Sequence, residues 1–166
     1  MKNKGYKRSV RLTLEMAALV IGLLYACASD NELSGSLEEV YRLQFDLVRA
    51  RLYSSEFALE YLVSKSGVVP VRLTLNRKSL NKDKKELKSG ESYDLNRYGD
   101  ITGRQADGTE IFRFSSGTLH LDAFDTAQDS EVSGSFDAKF RAGDDSFTLS
   151  GDFLTELEVV PEPNIP

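Results

Sequence analysis

The chain has 166 residues, 40% of them hydrophobic and 28% charged, with one Cys, one His, no Trp and a formal net charge of -5 at pH 7. That length fits one domain of ordinary size, and 4 Pro beside a balanced apolar fraction exclude a collagen-like or wholly disordered chain. A single Cys excludes an internal disulfide and a Cys-based zinc centre, and a single His leaves little room for a histidine-rich metal site.

The N-terminal segment has the order of a secretory signal peptide: basic Lys2, Lys4, Lys7, Arg8 and Arg11, then an apolar run containing Glu15, then small residues. The apolar run falls short of the roughly 20 residues that a bilayer-spanning helix needs, so export is favoured over a transmembrane anchor.

Leu24-Tyr25-Ala26-Cys27 resembles the lipobox of bacterial lipoproteins, in which a leucine three before the cysteine and a small residue just before it direct signal peptidase II. The resemblance implies that residues 1–26 are a cleaved signal helix and that Leu24, Tyr25 and Ala26 are read by the peptidase. Cys27 then becomes the lipidated first residue of the mature chain, which ties it to a membrane. Ser29, two residues after the cysteine and not Asp, implies sorting to the outer membrane if the cell is Gram-negative. The other reading is a secretory peptide cut elsewhere, or a short core helix, with Cys27 incidental. Cleavage would remove five basic residues and one acid, leaving 16 basic and 25 acidic residues and a net charge of -9. Such a charge resists nucleic acid as a partner and favours solubility outside the cell.

Residues 27–36 read as a lipidated tether, whose polar part at about 3.3–3.6 Å per residue holds the domain no more than roughly 25 Å from the lipid. A β-domain is expected over 37–160 and a Pro-rich tail over 161–166. From Leu37 onward the dominant signal is alternation. A hairpin with Ser54-Ser55 as its loop pairs Leu52 with Phe57, Ala50 with Leu59 and Val48 with Tyr61. Leu43 and Phe45 have the other parity, so a bulge or bend is expected near Leu47. Val69, Val71, Leu73 and Leu75 continue the meander after a loop over Ser64–Val68, with Pro70 pointing outward at an edge or irregular spot. Between Asn76 and Gly90 lies a lysine-rich stretch, readable as a short helix or a mobile loop. Weaker strands follow at Tyr93 with Leu95, at Ile111–Phe114 after an Asp107-Gly108 turn, and at Leu119 with Leu121.

The last two runs give the clearest register. Gly143 at the first central position of a two-residue loop sets Phe140 opposite Phe147, Ala138 opposite Leu149, Phe136 opposite Gly151 and Phe153 opposite Gly134. Each mid-strand glycine is then covered by a cross-strand aromatic ring. Ser116-Gly117, Ser133-Gly134 and Ser150-Gly151 recur at even spacing, read as successive strands of similar length using one small-residue device and not as a solenoid. Together these signals predict an all-β domain of about eight antiparallel strands, either a sandwich or a small barrel. The closing Ser-Gly-Ser-Phe, Gly-Asp-Asp and Leu-Ser-Gly-Asp-Phe segments are similar to the last strands of uncharacterised predicted lipoproteins of myxobacteria, a likeness that implies no activity.

Chemistry-bearing patterns are few. His120 is the only imidazole, so any hydrolase of the Ser-His-Asp kind must use it, with Asp122 two residues on. No Gly-x-Ser-x-Gly elbow or His-Glu-x-x-His helix accompanies it. Asp122, Asp125, Asp129, Asp144 and Asp145 lie in or beside turns without a calcium-loop pattern. No cofactor or metal is expected. From Arg72 to Lys88 seven basic residues face two acids, and Lys78, Lys82, Lys84, Lys85 and Lys88 are candidates for contact with an anionic surface. The expected function is a non-enzymatic, envelope-anchored structural or interaction module, with an envelope protein or polysaccharide as partner. The alternatives are a small-molecule or lipid carrier with a barrel cavity, and a hydrolase centred on His120.

Overall fold

The computed structural model of the protein describes residues 31–161, so the signal segment with Leu24, Tyr25, Ala26 and Cys27, and the tail beyond Pro161, lie outside the described residues. In chain order the elements are β1 (Glu32–Ser34), a 3-10 turn (Ser36–Glu39), β2 (Leu47–Leu52), β3 (Glu56–Val63), β4 (Val68–Asn76), α1 (Arg77–Lys82) and β5 (Glu91–Asp94). Then follow α2 (Leu95–Tyr98), β6 (Gly99–Thr102), β7 (Arg113–Ala123), β8 (Glu131–Ala142) and β9 (Asp145–Val159). The strands form one all-β sheet in the order β5-β7-β8-β9-β2-β3-β4-β6, with β1 added to β9. The sheet curls into a nearly closed barrel. The 15-residue β9 holds the two halves of this sheet together, pairing with β8 over most of its length and with β2 at its end.

Both expected hairpins form in the expected register. Val48 lies opposite Tyr61, Ala50 opposite Leu59 and Leu52 opposite Phe57. Phe140 lies opposite Phe147, Ala138 opposite Leu149, Phe136 opposite Gly151 and Gly134 opposite Phe153. Gly143 takes the positive φ of 62° that its loop position requires. A Cβ on Gly151 would stand 2.5 Å from Cε1 of Phe136, so the ring does cover the bare backbone. At Gly134 and Gly117 the backbone comes closer, since a Cβ would meet the His120 and Asp137 carbonyl oxygens first, with Phe153 at 2.9 Å and Phe114 at 3.2 Å next to them. The recurring Ser-Gly therefore serves both close backbone approach and the seating of an aromatic ring, the ring being the nearest neighbour only at Gly151.

Several expectations need correction. β2 runs parallel to β9 over Ala50–Leu52, so the sheet is not wholly antiparallel. The chain enters along β9 as antiparallel β1, turns back through the 3-10 segment, and reaches β2 running with β9. Folded structure starts before Leu37, because Leu33 is buried and Asn31 Oδ1 accepts from the Leu154 amide at 2.7 Å; the tether stops short of residue 36. Pro70 is buried, not outward. The register of β4 against β3 shifts between Tyr61 and Val63, which takes Pro70 off the alternation. There its carbonyl sits where a Cβ on Gly103 would be, and the Val69 carbonyl accepts from the Arg104 amide. The loop before β4 is Ser64–Gly67, one residue shorter than expected.

Leu95 is not in a strand. Asp94 Oδ1 accepts from the Asn96 amide at 2.9 Å and starts α2, whose spacing buries Leu95 and Tyr98 together. The run at Leu119–Leu121 and the end of the run expected at Ile111–Phe114 join as β7, which begins only at Arg113 and leaves Ile111 and Phe112 outside the strand, with register shifts near both ends of its pairing with β8. The face change near Leu47 occurs ahead of β2. Leu43 and Val48 are both buried, and the bend between them is fixed by Asp46, whose carboxylate accepts from the Ser64 amide and hydroxyl at 2.7 and 3.0 Å.

The barrel interior is filled with side chains. Phe57, Leu59, Tyr61, Phe136, Phe140 and Phe153 are fully or almost fully buried, and ring contacts run from Phe45 to Tyr61 to Phe136 at 4.9 and 6.0 Å. The Tyr61 hydroxyl donates to the Asp152 carbonyl at 2.9 Å, and burial holds its pKa far above the usual tyrosine value of 10.0. The folded-state pKa lies above the unfolded one, so the stabilisation from neutral Tyr61 is complete below that ordinary value and is lost as pH rises beyond it. Unfolding free energy is therefore expected to fall above about pH 10. Urea titrations should show a shallower fall for Tyr61→Phe; an unchanged slope would remove Tyr61 as the cause.

Candidate functional site

The lysine-rich stretch is half helix and half irregular, and it crosses one end of the barrel from β4 to β5. Asn76 caps α1, its Oδ1 accepting from the Ser79 amide at 2.9 Å. Arg77 pins the helix start: its amide donates to the Ser55 carbonyl and its Nη1 to the Tyr53 carbonyl at 2.7 Å. Leu80 is buried and Leu87 packs partly against the core. At the far side Tyr93 Oη accepts from the Lys88 amide at 2.8 Å and donates to the Glu86 carbonyl at 2.9 Å. The cap is thus anchored at several points, and it is not a free loop.

The helix ends in a Schellman arrangement, with the Lys84 amide bonded to the Asn81 carbonyl and the Lys85 amide to the Leu80 carbonyl. Lys84 takes the left-handed position at φ 57°, where glycine carries no Cβ penalty. Lys84→Gly is expected to stabilise the domain by about 0.5–1 kcal/mol, read as a higher urea midpoint at unchanged slope. A lower midpoint would mean that the lysine side chain contributes more than its backbone costs.

All five candidate lysines are exposed, but they are not equivalent. Lys88 Nζ is 3.6 Å from Glu86, and Lys85 lies over the Tyr98 ring at 5.5 Å. Asp83, the other acid of the stretch, is paired at 2.8 Å with Arg97. Lys78, Lys82 and Lys84 are left without an acidic partner among the described residues. The same end is electrically divided, because the loop from β7 to β8 carries exposed Asp125 and Asp129. Ser89 ties the two sides together, exchanging hydrogen bonds with the Phe124 amide and carbonyl at 2.8 and 3.0 Å.

His120 lies between Ser92 and Asp122. Its Nδ1 is 2.9 Å from Ser92 Oγ across the β5–β7 pair, and its Nε2 is 3.2 Å from Asp122 Oδ1. The Asp122 contact matches the expected spacing, whereas Ser92 is brought in only by strand pairing. These are the residue types of a triad, but the side chains of His120 and Asp122 are 39% and 64% exposed. A working Asp-His pair is buried, so that the carboxylate acts in a low dielectric. Among the described residues no three His, Cys, Asp or Glu side chains converge as a metal site would need.

Two further features escaped sequence reading. Outside the barrel wall, Glu60, with a side chain only 8% exposed, is flanked by three guanidinium groups: Arg49 at 2.7 Å, Arg72 at 3.3 Å and Arg51 at 3.9 Å. Arg72 also reaches Glu56 at 2.6 Å and Arg51 reaches Glu158 at 2.8 Å, so three cations meet three anions. The register that pairs Arg49 with Glu60 was legible in the hairpin. The second is a cleft of about 480 Å³ at the seam between β6 and the start of β7, lined by Arg72, Asp100, Arg104, Glu110, Phe112 and Arg113. At this edge the Ile101 amide is taken by the Asp100 carboxylate at 2.8 Å, which occupies a donor that an incoming strand would use. Comparison with protein-family models, with curated proteins and with solved structures returns no match.

Proposed function

We propose that the protein is a lipid-anchored component of a bacterial cell envelope whose β-barrel serves as a non-enzymatic structural or interaction module. In this reading residues 1–26 are removed and Cys27 carries the lipid. The observation that carries it is the position of the Leu24-Tyr25-Ala26-Cys27 segment, which follows a basic and apolar leader and stands just ahead of Asn31, the first described residue, which already bonds to the barrel at Leu154. Ser29 favours the outer membrane in a Gram-negative cell. The filled interior supports a module over a carrier, since Phe57, Tyr61 and Phe136 occupy the space a bound lipid would need. The open position of His120 and Asp122 supports it over a hydrolase. The partner in this reading is another envelope protein or a polysaccharide.

Metabolic labelling with an alkyne analogue of palmitate tests the anchor. Wild-type protein should be labelled and sediment with membranes, and Cys27→Ala should be neither. Equal labelling of both would overturn the reading.

A further inference from the structure

We propose that the barrel stands on its membrane by the end that carries the lysine cap, and that Lys78, Lys82 and Lys84 contact anionic lipid headgroups there. This rests on lipidation of Cys27 as proposed above, and adds which face of the domain meets the bilayer.

The direction of β1 selects the end. Ser34 lies opposite Ser150 and Glu32 opposite Asp152, and Asn31 reaches the Leu154 amide. Followed back toward the N-terminus, the chain therefore heads along β9 toward Val159. That is the end where Val160 bonds to Leu52, Arg77 bonds to Ser55, and Gly90 bonds to Leu121. The lysine cap crosses this same end between β4 and β5.

Tether length decides the rest. The four residue steps from Cys27 to Asn31 span at most about 13–14 Å. From Leu154 to the rim at Val159 is about 17 Å of strand, whereas from Leu154 to the turn at Gly143-Asp144 is about 34 Å. The lipid can come close to the rim at the cap. It cannot reach the opposite end, so the barrel cannot stand on Gly143 and Asp144. Exposed charge at the near rim is uneven: on the β4–β5 side the lysines outnumber the acids, of which Asp83 and Glu86 are paired with Arg97 and Lys88 and Glu91 stands at the start of β5, whereas the β7–β8 side carries Asp125, Asp129 and Glu131. An anionic surface attracts the first and repels the second, and both effects act within about 8–10 Å of the headgroups. The barrel is therefore tilted with its lysine side down.

The test uses the full chain, matured in a lipoprotein-processing bacterial host and reconstituted in vesicles of equimolar phosphatidylcholine and phosphatidylglycerol containing a headgroup spin label. Once Cys27 is acylated, a fluorophore can be placed on a single new thiol, in Asn81→Cys at the cap or in Asp144→Cys at the far turn. Several-fold stronger quenching at the Asn81→Cys site is expected. Replacing Lys78, Lys82 and Lys84 with Ser should weaken it on these vesicles and not on pure phosphatidylcholine. A chain that fails to float with vesicles, or takes fluorophore at Cys27, overturns the anchoring and the proposal with it. A chain that floats but is quenched equally or more at Asp144→Cys overturns the orientation alone. Quenching at Asn81→Cys that ignores both the lysine replacements and the anionic lipid overturns the headgroup contact, and directs attention to an acidic envelope polymer as the lysines' partner.

Discussion

Truncating Phe136 to alanine is expected to lower the unfolding free energy by about 3–5 kcal/mol, and a methyl added at Gly151 by about 1–3 kcal/mol. The double variant should lose clearly less than the two together. The reason is geometric. The nearest atoms to a Cβ on Gly151 are Cε1 and Cζ of Phe136, at 2.5 and 2.9 Å, with Leu33 Cδ2 also at 2.9 Å. All three belong to side chains, so removing the ring opens the space that the methyl lacks, and the methyl fills part of the cavity that the ring leaves. Residues in contact show such coupling, whereas distant ones add. Urea unfolding followed by far-ultraviolet circular dichroism of the four proteins provides the cycle, and simple additivity would contradict the cross-strand cover.

Glu60→Ala is expected to cost about 3–5 kcal/mol, the range found when one member of a buried ion pair is removed. Its carboxylate is the common partner of Arg49, Arg51 and Arg72, and it is nearly excluded from solvent. Without it Arg49 loses both hydrogen bonds, at 2.7 and 3.0 Å, while Arg51 and Arg72 keep Glu158 and Glu56. Besides Glu56 and Glu60, the outer face of β3 carries Ala58 and Leu62, both buried, so the arginine stems cover this strand as well as pairing with its acids. Glu60→Gln keeps the shape and part of the hydrogen bonding, and should lose less. A change below about 1 kcal/mol for Glu60→Ala would place the cluster with ordinary surface pairs.

The legible part of the fold was local in character. Period-two alternation and turn chemistry act between residues close in sequence, which is why the registers around Ser54-Ser55 and Gly143 could be read to the residue. β1, β6 and α2 could not be read, because each is only three or four residues long and carries too few apolar positions to show a period. Pro70 does mark an irregular spot, but its outward direction was misread for a different reason: a register slip takes it off the alternation, at the point where Gly103, far away in sequence, comes up against its carbonyl.

The candidate site divides in the same way. The basic character of 77–88 and the Asp122 neighbour of His120 are sequence-local and were read correctly. That Ser92 meets His120, that Lys85 rests on Tyr98, and that Asp83 is taken by Arg97 depend on strand pairing and on α2. By itself the sequence determined an all-β chain, its two best hairpins, the basic stretch, and one cysteine set behind a basic and then apolar segment. Tertiary structure alone decided that β9 joins β8 to β2 so that one sheet curls into a nearly closed barrel, that the basic stretch caps one end of it, and that β1 aims the chain toward that end. These are contacts between segments up to about 120 residues apart, and their energy comes from side chains that meet only once the sheet has curled.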